Sequence, residues 1–467
     1  MAELLARLHD SENLAVGAVA HLLDGHPEVA VANNTLSARI VVAAVESLVH
    51  RLITARVPVE SGQLEDELVV LLGAYLRREH AEPSSAPGDV AVRSTGLGSG
   101  RKMPRRWRCR VGVRCGLAAV RGAVLLVAVV VGADALCWSA AAEPRTSVAA
   151  RAMATARPAP DGSRLTAAEA GPGRVVNLTV RSEAMGSEVH VAVLPAADDS
   201  TAAPSLYLLN GVDGGSETGQ WRDGSNWLTK TDAEQFFAGE RVNVVMPVGG
   251  GGTFFADWRA EDPVMGKQRW TTFLTGELPP IIDSAFGGNG VNAIAGLSMA
   301  SSAVFRMALA APGLYRAIGS YSGCVRTSDP LGQAMVSAIV TGKRGNPANM
   351  WGPPSDPAWA ANDPYLHAER LRGTVIYVST GTGQPGPLDT MDGPGIDSDS
   401  RKLLDQLLIG GALDAMTWSC TQQLRDRFQE LGIAATFDFR ENGTHSWGYW
   451  QQDLHNSWPV LRAALHE

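Results

Sequence analysis

With 467 residues the chain can form two or three domains, and a hydrophobic content of 45% supplies a substantial core. The formal net charge of −8 excludes a nucleic-acid-binding role, because neutralising phosphates requires an excess of Lys and Arg on one surface. No phosphate-binding loop is present either: Gly249–Gly252 ends a strand without the lysine and helix start that Walker spacing demands.

Residues 1–82 show helical periodicity, with Val42, Val45, Leu48, Val49 and Leu52 as the clearest stripe. This fragment resembles the C-terminal ligand-domain helices of tetracycline-repressor-type regulators, without a helix-turn-helix that could read DNA. Residues 83–102, rich in Ser, Pro and Gly, form a linker. Residues 103–142 then carry a basic cluster (Arg105, Arg106, Arg108, Arg110), an apolar run from Gly122 to Leu136 and the small residues Ala140, Ala141 and Ala142. That order is the plan of a secretory signal cut after Ala142; the run is shorter than the roughly 20 residues of a membrane-spanning helix. Met103 stands where an initiator belongs, so residues 1–102 read as an over-extended reading frame. A cytoplasmic domain on a signal anchor is the competing reading.

Beyond the signal, residues 143–174 are Ala/Pro/Arg-rich, and disorder is expected in their first half. Residues 175–467 alternate strands and helices. Val175–Val180 and Glu188–Leu194 read as antiparallel strands, while Ser205–Leu209, Val242–Met246, Val291–Ala295, Tyr315–Tyr321, Val375–Ser379 and Thr436–Phe439 read as buried ones. Leu278–Ser284, Arg401–Gly410 and Thr421–Leu431 read as helices. The fold class is α/β, a doubly wound sandwich. Of the five cysteines, only Cys324 and Cys420 lie beyond the signal. In an exported protein that pair invites a disulfide, with two buried thiols as the alternative.

The chemistry is announced by Gly296-Leu297-Ser298-Met299-Ala300, between the strand at Val291 and a helix stopped by Pro312-Gly313. A strand, a tight turn of small residues and a helix make the nucleophile elbow of α/β-hydrolases, which lifts a serine Oγ above the sheet. Gly296 and Ala300 keep the strained turn free of collisions; a turn with a merely capping serine is the plain alternative. Serine needs a base to take its proton, and the fold's chain order puts that base after the last strand. His445 stands there, whereas His190, His367 and His455 lie in strand or helical contexts that suit structural roles. Two backbone N–H groups must hold the oxyanion. Met299, after the nucleophile, offers one, and Val212, in the glycine-rich loop after Leu209, offers the other.

Six motifs occur in order: Leu206-Tyr-Leu-Leu-Asn-Gly211, Val245-Met-Pro-Val-Gly-Gly250, Trp270-x-Thr-Phe-Leu-Thr-x-Glu-Leu-Pro279, Gly296-Leu-Ser-Met-Ala300, Met350-Trp-Gly-Pro-Pro-x-Asp-Pro-Ala-Trp359 and Gly443-Thr-His-Ser-Trp-x-Tyr-Trp450. Together they resemble the secreted mycolyltransferases of the antigen 85 type, from about Val175 to the C-terminus. The longer loop at residues 211–231 and the Cys324/Cys420 pair are more similar to the mycolyltransferases of related mycolate-bearing actinobacteria. The resemblance implies Ser298 as nucleophile, His445 as base, and Val212 and Met299 as oxyanion donors. It puts the acid at Asp414, where the family has a glutamate; Asp389 and Asp392, after the strand at Val375–Ser379 where the general α/β-hydrolase fold places its acid, are the alternatives. It also maps a trehalose-contacting tryptophan onto Trp447 and two sugar-binding positions onto Asn210 and Asp213, neither of which keeps the family's residue type. Trp258 and Trp270 read as core aromatics.

The expected activity is transfer of a mycoloyl group from a trehalose ester to trehalose monomycolate or cell-wall arabinogalactan through a seryl acyl-enzyme. A secreted carboxylesterase that uses water is the alternative, and a non-catalytic wall-binding protein on the same fold is a more distant one. No cofactor and no metal is implied. The partners would be trehalose mycolates, cell-wall glycolipids and arabinogalactan. Nucleic acid is not among them, and a membrane enters only through an uncleaved signal.

Overall fold

The computed structural model describes residues 143–466 apart from 199 and 217–223. The expected regulator-like helices, linker and signal segment lie outside these residues. Among the described residues no helix is long and apolar enough to cross a membrane.

Among the described residues nine strands form one sheet: β1 Arg164–Ala170, β2 Val176–Ser182, β3 Ser187–Leu194, β4 Ala203–Leu209, β5 Asn243–Val248, β6 Gly288–Leu297, β7 Tyr315–Tyr321, β8 Val375–Thr380 and β9 Thr436–Phe439. Their order is β1-β2-β3-β5-β4-β6-β7-β8-β9. β1, β2, β3 and β5 pair antiparallel, and every pairing from β5 through β4 to β9 is parallel. Parallel strands are covered on both faces, which explains why every residue of β4 and β5 is buried. Alternate residues serve opposite layers, because successive strand side chains point to opposite faces. Tyr207 and Leu209 of β4 join one core cluster, while Leu206 and Leu208 join the other.

The first layer is filled by α2 (Leu278–Phe286), α3 (Ala300–Ala310) and α5 (Gly411–Leu431), through residues such as Ile281, Phe305, Leu424 and Phe428. The second is filled by α6 (Trp447–His466), through Leu454, Trp458, Leu461 and Leu465. A further helix, α4 (Pro330–Gly342), follows β7.

Two expectations are corrected. Residues 143–174 are ordered: α1 (Glu143–Thr155) is followed by β1 on the sheet edge. Composition hid this because alanine, the strongest helix former, also supplies the apolar contacts. Ala149 and Ala152 are buried, and the Arg157 N–H donates to Ser284 Oγ at 2.8 Å, tying the segment to α2. The helices expected at Arg401–Gly410 and Thr421–Leu431 are parts of one continuous run. It starts at Ser400–Asp405, widens into a π-turn at Gln406–Gly410 and continues as α5.

Candidate active site

The nucleophile candidate sits where β6 turns into α3. Ser298 has φ +53°, a left-handed conformation that a non-glycine residue holds only when its surroundings impose it. The surroundings do so. A Cβ at Gly296 would lie 2.8 Å from Ala300 Cβ, so only glycine lets the helix start this close to the strand. The Ser298 N–H donates to Tyr321 O at 2.8 Å and Ser301 Oγ to the same carbonyl at 3.0 Å, which locks the turn onto β7.

The base candidate reaches it from the far end of the chain. His445, on the loop between β9 and α6, places Nε2 2.8 Å from Ser298 Oγ. Its Nδ1 lies 2.8 Å from Asp414 Oδ1. With Nδ1 donating to the carboxylate, Nε2 is left to accept the serine proton. The ring is held edge-on to Trp450, with centroids 4.9 Å apart, and the backbone N–H of His445 donates to Gly410 O at 3.1 Å.

Asp414 is fully buried in the first turn of α5. Its second oxygen, Oδ2, accepts from the Gly381 N–H at 3.1 Å and Ser322 Oγ at 3.2 Å, and Arg440 Nη2 lies 3.6 Å away. An aspartate suffices here because the backbones crowd together. A Cβ at Gly381 would meet Gly443 O at 2.4 Å and Asp414 Oδ2 at 2.9 Å. The π-turn that opens α5 carries the Gly410 carbonyl bonded to His445, a kind of helix defect often found at functional sites.

The oxyanion candidates flank the serine. The β4 loop lies against it, since a Cβ at Gly211 would be 3.5 Å from Ser298 Cβ. Among the described residues, neither the Val212 nor the Met299 N–H donates to a protein acceptor. Amides without an internal acceptor can hold the charge of a tetrahedral intermediate formed within their reach.

Comparison with known proteins matches this geometry to a lineage. Residues 182–460, more than half of the chain, match the family described as putative esterase. The chain is 32% identical over 305 residues to the diacylglycerol acyltransferase/mycolyltransferase Ag85B of Mycobacterium avium, covering 63% of this chain and 84% of that one. It is 33% identical over 322 residues to the Ag85A protein of Mycobacterium ulcerans, covering 65% and 86%. The chain belongs to the antigen 85-type mycolyltransferase family. It is a serine-dependent acyltransferase/esterase. The crystal structure of Mycobacterium tuberculosis MPT51 (FbpC1) superposes with a TM-score of 0.51 at 27% identity, covering 62% of this chain and 97% of that one. Separately, residues 1–76 match the tetracyclin repressor-like, C-terminal domain family.

The mycolyltransferase family's remaining positions divide. Of the alternative acids, Asp392 is exposed. Asp389 is a strut: Oδ2 accepts from the Gly386 N–H at 2.7 Å and Tyr449 OH at 2.8 Å, and Oδ1 from Thr444 Oγ1 at 2.5 Å. Trp447 is half-buried, edge-on to Trp227 at 5.4 Å and Trp450 at 5.2 Å. Asn210 corrects the expectation of a sugar contact. It is fully buried, its amide donating to Ser225 Oγ and Pro247 O, both at 3.1 Å, so it braces the loop from inside. Asp213 is exposed and pairs with Lys343 Nζ at 2.8 Å. Trp258 and Trp270 are core residues.

Cys324 and Cys420 form the expected disulfide, with Cα atoms 5.2 Å apart across a separation of 96 residues. It pins α5, which carries Asp414, to the segment that supplies Ser322. Sequence reasoning missed Ser322, Gly381 and Arg440. No motif marks them, because each contributes through a contact with a residue distant in the chain.

Proposed function

We propose that this chain transfers a mycoloyl group from a trehalose ester to trehalose monomycolate or cell-wall arabinogalactan, by a two-step exchange through an acyl-Ser298 intermediate. The observation that carries this is the unbroken relay from Ser298 Oγ to His445 Nε2 and from His445 Nδ1 to Asp414, each link 2.8 Å long. Ser298 Oγ attacks the ester carbonyl carbon as its proton passes to His445 Nε2. The oxyanion is held by the N–H groups of Val212 and Met299. Collapse breaks the bond to the sugar oxygen, which leaves with the proton returned by His445. An acceptor hydroxyl then gives its proton to His445 and attacks the acyl-enzyme, restoring Ser298. Asp414 holds the imidazole in the working tautomer and stabilises the imidazolium; it stays ionised throughout.

The named relatives, diacylglycerol acyltransferase/mycolyltransferases, support the acyl class. Half-buried Trp447, two residues after His445, suits the apolar face of a sugar ring, and Asp213 is available to its hydroxyls once parted from Lys343. Export by the segment at 103–142 and action at the cell wall complete the reading. Mass spectrometry after mixing with a trehalose monomycolate-like donor tests it, the expected result being an adduct of the acyl mass on the peptide containing Ser298. Product analysis with and without added trehalose separates the transferase from a carboxylesterase: a trehalose ester is expected, and free acid alone would reassign the acceptor to water.

A further inference from the structure

Behind the acid lies a charged group that the acyl-transfer cycle leaves unused. Arg440 follows β9, its side chain 11% exposed, with the guanidinium 5.4 Å from the Tyr449 ring centroid. Nη1 is bonded to Asp453 Oδ1, and Nη2 stands 3.6 Å from Asp414 Oδ2. Asp453, on α6, is fully buried. One cation therefore lies between two buried carboxylates, one of which is bonded to His445. The 3.6 Å separation is too long for a directional hydrogen bond and well within the range of a strong Coulombic pull in a site that excludes water.

We propose that Arg440 is a positioning residue for the Asp414–His445 pair, and that Asp453 governs how much of its charge reaches Asp414. The two thus tune in opposite directions the pH at which His445 becomes a competent base. The inference rests on the reading of Ser298, His445 and Asp414 as the working set.

The electrostatics follow from the arrangement. A carboxylate beside imidazole stabilises the imidazolium and raises its pKa. A guanidinium on the other side of that carboxylate offsets part of its charge and so lowers the imidazole pKa. A second carboxylate bonded to the guanidinium takes part of that offset away. The other titratable groups facing the pair are Tyr321 of β7, Tyr377 of β8 and Asp438 of β9. Burial pushes both phenols far above their ordinary values, so they stay neutral. Asp438 accepts from Tyr377 OH at 2.7 Å. Burial opposes the charge of Arg440, yet the carboxylates of Asp453 and Asp414 hold it above its ordinary value. Burial pushes the Asp453 carboxyl up to about 6, against the pull of Arg440.

The test is the pH profile of kcat/KM for a soluble acyl ester in five folded proteins. Arg440→Gln should move the acid limb up by about half to one pH unit, and Asp453→Asn should move it down by about as much. The Arg440→Gln/Asp453→Asn double variant should return close to wild type, and Arg440→Lys should keep the wild-type limb. A side chain that merely supports the fold would lower kcat without these opposed shifts. Limbs that stay put in both single variants, or move the same way, overturn the proposal. If Arg440→Gln fails to fold, the downward shift in Asp453→Asn and the retained limb in Arg440→Lys decide the matter. A His445→Ala control separates the layers: wild-type turnover there overturns the site itself, whereas an inactive control with unmoved limbs overturns only the role of Arg440 and Asp453.

Discussion

The two halves of the site are built in different ways. The elbow is local: β6, Ser298 and α3 occupy one stretch from Gly288 to Ala310, and its geometry follows from the small volumes of Gly296 and Ala300. The acid corner is assembled from five places: Ser322 after β7, Gly381 after β8, Asp414 on α5, Arg440 and His445 after β9, and Asp453 on α6. The difference lies in what enforces each half. Sterics within one turn shape the elbow, and two hydrogen bonds to a single neighbouring carbonyl, Tyr321 O, hold it in place. Only completed packing imposes the acid corner, where removing a partner from a buried polar group costs about 1–3 kcal/mol or more.

Substitutions can break or sharpen that contrast. The largest effect belongs to the elbow: Ser298→Ala should lower kcat by about 10⁶, equivalent to about 8 kcal/mol of barrier, with no change in Tm. Next comes the acid corner. Asp414→Asn, which keeps the volume and forfeits the charge, should cost about 10⁴ in kcat with KM nearly unchanged, read from steady-state ester turnover. An effect below tenfold would move the acid role elsewhere. Removing the Cys324–Cys420 bridge as a double alanine variant should lower unfolding stability by about 4–5 kcal/mol on the chain-entropy model, measured by urea denaturation. Activity should then fall more steeply with temperature than in the bridged protein, since α5 and Ser322 lose their tie. Gly296→Val should cost about 1–3 kcal/mol by overpacking, and it should depress kcat more than KM because it displaces Ser298 directly. If its kcat stayed at the wild-type level, the elbow would be far more tolerant of side-chain volume than its contacts indicate.

Much of the site was legible because its spacing is a consequence of chemistry. A hydroxyl on a turn of small residues, a histidine after the last strand and a glycine-rich loop after an early one can be read from the chain. The eight strands from β2 to β9 were legible for a similar reason: apolar runs mark the parallel strands at the sheet centre, and alternation marks β2 and β3. Asn210 was misread because a position in a motif carries no record of where the side chain points; here it turns inward to Ser225 and Pro247. The segment at 143–174 was misread because alanine-rich composition looks alike in a packed helix and in an unfolded tail.

By itself the sequence marked the candidate nucleophile turn, the candidate base and the alternation of buried strands, since each depends on residues adjacent in the chain, on chain order or on a periodicity along it. Tertiary structure alone decided which carboxylate faces the imidazole, how an aspartate reaches it, and that a guanidinium shared with Asp453 stands behind it. Those are distances between residues 13 to 31 positions apart on different elements, and they exist only once the two helical layers have closed on the sheet.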